Sequence, residues 1–197
     1  MFRILFIIFC CFLALTSCKE SKEKDHDSAE NDLVKKNVPV FNADTAYQYI
    51  AKQTAFGPRV PNTKAHILCG DFLTQAFKNY SVTVTEQKFE SKAFNGKMLK
   101  LRNIIASINP QASKRIIIAS HWDARPFADN DKGNINSPID GANDGASGVG
   151  VILELASILQ MDTSFKIGVD FILFDGEDYG QPENSGFPEM KDSWCFG

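Results

Sequence analysis

Three short stretches carry side chains able to do chemistry. "HWDARPFADND" opens with His121 and Asp123, "DGANDGASG" places Asp144 ahead of a run of small residues, and "FILFDGEDYG" ends an apolar run in Asp175, Gly176, Glu177 and Asp178. Carboxylates gathered in one place repel one another unless something positive sits among them, and a divalent cation is the usual answer. A histidine beside carboxylates suits zinc, which takes nitrogen and oxygen ligands and can leave one position for substrate. Each stretch alone has a plainer reading: Asp and Gly pairs are ordinary loop chemistry, and Asp144 could simply cap the helix that follows it. Three of them in this order, at the ends of apparent strands, favour a site.

The elements that must hold these residues read as an α/β domain. "RIIIAS", residues 115 to 120, is a continuous apolar run rich in β-branched residues, and the spacing predicts a central strand buried on both faces. "IGVDFILF", residues 167 to 174, predicts another. The segment between them is helical in its later part, so the unit is a crossover joining parallel strands, whose carboxyl ends are where polar loops collect. Upstream, Asn42 can cap a helix running to about Ala55 and closed by Gly57-Pro58. Thr63 can cap a second, with Ala65, Leu68, Phe72, Ala76 and Phe77 at helical spacing. "SVTVTEQKF" and "MLKLRNIIASI", joined through "FNGK", read as an antiparallel hairpin. His66, in the second helix, reads as a surface or satisfied core residue rather than a ligand.

Composition narrows the classes further. A chain of 197 residues that is 44% hydrophobic can bury a sizeable core, and one globular domain is the default. A formal net charge of −3 with dispersed Lys and Arg gives no nucleic-acid footprint. The first residues differ: Arg3 precedes an apolar run from Ile4 to Leu15, too short to span a bilayer and right for a signal peptide. Leu15-Thr16-Ser17-Cys18 resembles the lipobox of bacterial lipoproteins, so residues 1–17 are expected to be a signal peptide and Cys18 a lipidated N-terminus. An ordinary cleaved signal with a chance cysteine is the alternative. Residues 18–40 are charged and suit a solvated tether, leaving 41–197 as the domain. The expected location is that of an exported lipoprotein, periplasmic or outer-membrane associated. Cys69 and Cys195 would be the domain's cysteines, both read as small buried residues.

Together, "SHWDARPFADND", "DGANDGASGVGVILELA" and "FILFDGEDYG" resemble the zinc-dependent aminopeptidase superfamily, and within it the bacterial glutaminyl-peptide cyclotransferases. "FNADTAYQYIAKQTAFGPRVPNTKAH" resembles their amino-terminal segment, so the likeness runs over about residues 41 to 197. It implies a mixed, centrally parallel sheet flanked by helices, of the zinc aminopeptidase or phosphorylase/hydrolase-like type. It places metal ligands on Asp144 and Asp178, where many relatives have Glu at the latter, and a general base on Glu177. It also implies a cis peptide after Asp144. His121 stays open: in two-metal aminopeptidases that position binds a second zinc with Asp123 holding its ring, whereas cyclases use one zinc and leave it free or hydrogen-bonded.

The resemblance implies peptide N-termini as substrates and one zinc as cofactor, or two if the protein is an aminopeptidase. A noncatalytic binding ectodomain that kept the fold is a third reading. Relatives carry a further metal-binding histidine and a functional aspartate beyond the "DGED" loop, and no histidine follows His121 here. The expectation is therefore a domain incomplete at its carboxyl end, with weak zinc affinity and no turnover as a fragment.

Overall fold

Asn42 and Thr63 start the first two helices as their side chains allow. Asn42 Oδ1 accepts the Thr45 N–H at 3.0 Å and begins α1 (Ala43–Ala55); Thr63 Oγ1 accepts the His66 N–H at 3.2 Å and begins α2 (Lys64–Lys78). Each bond satisfies a donor that the first helical turn leaves open. The computed structural model describes residues 38–80, 82–162, 164 and 166–197. The chain divides into two units, Met1–Val38 and Pro39–Gly197, and all that follows concerns the second. The signal-peptide and Cys18 readings lie outside the described residues. No helix among the described residues is long and apolar enough to cross a membrane.

The hairpin forms as its turn chemistry predicts, with β1 (Thr83–Lys92) antiparallel to β2 (Met98–Ile108). β3 (Arg115–His121), α3 (Ala146–Leu159) and β4 (Gly168–Phe174) form the crossover, and β3 pairs with β4 in parallel. The sheet order is β1-β2-β4-β3, with β2 and β4 antiparallel. The expected mixed sheet flanked by helices is therefore present.

Period-two burial decides which face carries the core. Ile104, Ala106 and Ile108 of β2 and Val169, Phe171 and Leu173 of β4 meet Leu73 and Phe77 of α2 and Val149, Ile152 and Leu153 of α3. Burying one such side chain stabilises by roughly 1.5–3 kcal/mol, so this layer is the rigid base on which the loops stand. Lower on β2, Leu99 and Leu101 face a second cluster with Val60, Tyr179 and Phe196, beneath the loop after β4. At Asn103 and Ile104, two successive buried residues, β2 is covered on both faces.

β3 departs from expectation. Among the described residues it pairs with β4 alone, and Ile116 and Ile117 are 45% and 66% exposed. An unbroken apolar run records a capacity for burial on both faces; the burial itself depends on what packs there, and α3 covers only one side. The backbone after Asp144 also differs, since no cis peptide occurs among the described residues. Gly145, at φ +82° and ψ −60°, makes that turn instead.

Candidate active site

Parallel pairing brings the site together. His121 is the last residue of β3 and stands opposite Phe174, the last of β4, so the loops that follow both strands leave the same end of the sheet. Asp144 arrives at that end because α3 begins two residues later. The Asp144 side chain does not cap α3, whose N-cap is Gly145 with no side-chain bond. It is instead 70% exposed and accepts from His121 Nε2 at 2.9 Å. A Cβ on Gly145 would stand 3.0 Å from His121 Cε1, so the small residue lets the helix start lie against the imidazole.

Asp123 is fully buried and works on the neighbouring loop. Its Oδ1 accepts the Glu177 N–H and its Oδ2 the Asp178 N–H, each at 3.1 Å. Those two bonds hold the turn whose left-handed residue is Gly176 at φ +74°, where a Cβ would meet Leu101 at 2.9 Å. The same Oδ1 lies 3.5 Å from His121 Nδ1, and Glu177 Oε2 lies 3.7 Å from that nitrogen; neither makes a hydrogen bond with it. Burial by itself lowers the imidazole, but Asp123, Glu177 and Asp144 outweigh it and raise His121 to about 9. Burial, reinforced by the charges of Asp144 and Asp123, pushes the Asp178 carboxyl up to about 7.

This arrangement tests the fit of a metal. Without a cation, burial and then the neighbouring carboxylates of Asp144 and Asp123 disfavour the charged form of Asp178, an electrostatic demand that a divalent ion meets. Asp144 and Asp178 offer oxygen donors and His121 an imidazole beside them, all ligands that zinc accepts. No group of three His, Cys, Asp or Glu side chains among the described residues is already arranged around a common ion position. The donors fit zinc as a partial set.

Glu177 is 38% exposed on a cavity of about 320 Å³ that it shares with His121, Phe174 and Cys195. A larger groove of about 830 Å³ lies between α2 and the β1–β2 hairpin and contains none of the site carboxylates. Asp175 is fully buried and supports the loop: its Oδ2 accepts the Arg102 N–H at 2.7 Å, and its own N–H donates to Asn103 Oδ1 at 2.9 Å. Cys69 is buried as expected, whereas Cys195 is exposed, and both are free thiols. The Cys195 and Phe196 N–H groups bond to the carbonyls of Glu177 and Gly176, which pins Cys195 along the loop, with its Sγ 3.6 Å from Glu177 Oε1.

Sequence reasoning missed two arginines. Arg59 is fully buried, and its guanidinium donates to the carbonyls of Trp122 (3.1 Å), Gly141 (2.8 Å) and Asp140, tying the loop before Asp144 to the end of β3. Arg125 donates to the Asp178 carbonyl at 3.1 Å and pairs with Asp129. The spacing of Arg125 and Asp129, four residues apart, was a usable signal; nothing local to Arg59 announced its distant acceptors.

The fold and site define an α/β domain whose carboxylates and histidine gather at the carboxyl ends of two parallel strands. Residues 103–190 match the model of Peptidase family M28. More particularly, the chain is similar to two solved bacterial proteins. One is a Zn-dependent exopeptidase from Parabacteroides distasonis, at 48% identity and a TM-score of 0.78, covering 81% of this chain and 55% of that one. The other is Bacteroides thetaiotaomicron glutaminyl cyclase bound to N-acetylhistamine, at 47% identity and a TM-score of 0.78, covering 82% and 56%. The glutaminyl-peptide cyclotransferase of Drosophila melanogaster is 26% identical over 125 residues, 61% of this chain and 33% of its own length. The chain thus spans about half the length of those two structures and about a third of that curated relative.

Proposed function

We propose that the protein is a glutaminyl-peptide cyclotransferase, an acyltransferase converting the N-terminal glutamine of peptides to pyroglutamate with release of ammonia. The observation that carries this reading is the placement of Glu177. Asp123 fixes its backbone, while its carboxylate stands half-open on the cavity beside His121. Similarity to a glutaminyl cyclase over 82% of the chain supports the substrate class.

The reaction is an intramolecular acyl transfer. The substrate's α-amine attacks its own γ-carboxamide carbon, a C–N bond forms, and the bond to the leaving nitrogen breaks. Glu177 accepts the proton that the amine gives up and returns it to the departing nitrogen, which leaves as ammonia. No water is consumed. Because nucleophile and electrophile share one residue, the cavity has to select a conformer rather than bring two reactants together, and Ala119 and Phe174 give it an apolar wall. Asp144 and Asp178 would hold one zinc with His121 and Asp123 beside it. Zinc bound there supplies a Lewis acid to polarise the amide oxygen.

Aminopeptidase activity is the second reading, favoured by the family match and by the exopeptidase neighbour. Glu177 would then take its proton from an attacking water. Incubating the full-length protein with peptides beginning in glutamine and in leucine, with and without a zinc chelator, separates the two. Ammonia loss from the first peptide alone supports cyclisation; release of leucine from the second overturns it. Export as a lipoprotein anchored through Cys18, with a tether over residues 18–40, completes the proposal. Labelled palmitate incorporated by the wild type and lost in Cys18→Ala would support it.

A further inference from the structure

His66 takes no part in the proton transfer, yet it braces both strand ends that carry the site. It lies in the first turn of α2 and is 3% exposed. Its ring stacks on Trp122, with centroids 4.4 Å apart and planes at 14°, and its Nε2 stands 2.9 Å from both carboxylate oxygens of Asp175. Trp122 is the residue between His121 and Asp123; Asp175 comes two residues before Glu177. A ring N–H directed between two carboxylate oxygens donates to the pair, which fixes the ring's orientation.

Trp122 also donates its N–H to the Phe174 carbonyl at 3.0 Å and accepts from Arg59 at its own carbonyl, and further partners come from β2. Trp122 Nε1 donates to the Arg102 carbonyl at 3.2 Å, and the Arg102 N–H donates to Asp175. One imidazole therefore touches the β3 end through a ring face and the β4 end through a hydrogen bond, from a helix that belongs to neither strand.

Resting on the cyclotransferase reading, we propose that His66 is a positioning residue, which sets the separation of His121 and Asp123 from Glu177 and Asp178 by bracing Trp122 and Asp175 together. Sites of this kind need their groups held to within about 0.5 Å, and partners behind the ligands set that tolerance. The sequence offered a lone histidine in an amphipathic helix. The fold makes it a link between two loops.

Two variants divide the link into its parts. His66→Phe keeps a ring against Trp122 and removes the donor; His66→Gln keeps a donor near the Nε2 position and removes the ring. Each is made in the full-length protein and measured for thermal midpoint, for kcat and KM on a glutamine peptide per folded molecule, and for zinc Kd by chelator competition. His66→Phe is expected to lower kcat about tenfold with KM within about twofold, and to raise the zinc Kd about tenfold. His66→Gln, which keeps the bond to Asp175 and loses the stack on Trp122, is expected to lower kcat and raise the zinc Kd by about threefold, a smaller loss than that of His66→Phe even where its midpoint falls as far. Parallel losses in both variants that track the thermal midpoint, or an unchanged kcat and Kd in folded His66→Phe, would overturn the proposal. If the wild type does not cyclise glutamine, the functional reading fails separately, and the zinc Kd series still decides the role of His66.

Discussion

Asp123 Oδ1 accepts the backbone N–H of Glu177 at 3.1 Å, joining the end of β3 to the loop that follows β4. With Oδ2 on the Asp178 N–H, one buried carboxylate sets two consecutive residues of the "DGED" turn. The glutamate proposed to move protons is thereby held by its backbone, while its half-exposed carboxylate faces the cavity with Cys195 Sγ 3.6 Å from Oε1.

Asp123→Asn places an amide NH₂ against one of those N–H donors. The expected cost is about 1–3 kcal/mol of stability, read from urea unfolding, since a buried donor loses its acceptor. Activity per folded molecule should fall about 10–100-fold, as is usual when a partner behind a ligand is lost.

Arg59→Met removes three hydrogen bonds to carbonyls at Trp122, Asp140 and Gly141 while keeping the buried volume. Destabilisation of about 3 kcal/mol or more is expected from the acceptors left unpaired. Because Gly141 and Asp140 lie just ahead of Asp144, zinc affinity should weaken as well, and chelator competition measures it.

The pH dependence of the metal-free protein follows from two raised groups. Asp178, at about 7 when folded against an ordinary carboxylate near 3.9, keeps a proton that the unfolded chain has lost, so its contribution declines as pH rises through that window. His121, raised to about 9, contributes fully below its unfolded value near 6.5 and loses that contribution as pH climbs through 9. Both slopes have the same sign. Urea midpoints with chelator present should fall from about pH 5 to about pH 9, while zinc binding should tighten over the same range because it displaces these protons. Flat midpoints would count against the charge cluster.

The sequence made the scaffold readable where physics is local. The Asn42 and Thr63 caps, the turn at Asn95-Gly96 and the strand–helix–strand order all depend on neighbours in the chain, and the structure contains each of them. The grouping of His121, Asp144, Glu177 and Asp178 was legible because parallel strands bring their carboxyl ends together. What stayed hidden depends on distant partners. Arg59 bonds to groups 63 to 82 residues away, and His66 to a carboxylate 109 residues away, with no periodic signature. Burial of β3 was overread because Ile116 and Ile117 have the composition of core residues without neighbours to cover them. Cys195 was read as buried from its type, while its backbone pairing with Glu177 holds it at the cavity.

The measurement that tests the account most directly compares wild type and Glu177→Gln on a glutamine-initiated peptide at matched zinc content. The account expects the variant to keep its fold and its zinc and to lose at least about a hundredfold in the rate of ammonia release, the scale of a missing proton shuttle. Cyclisation at the wild-type rate by the zinc-loaded variant would contradict it.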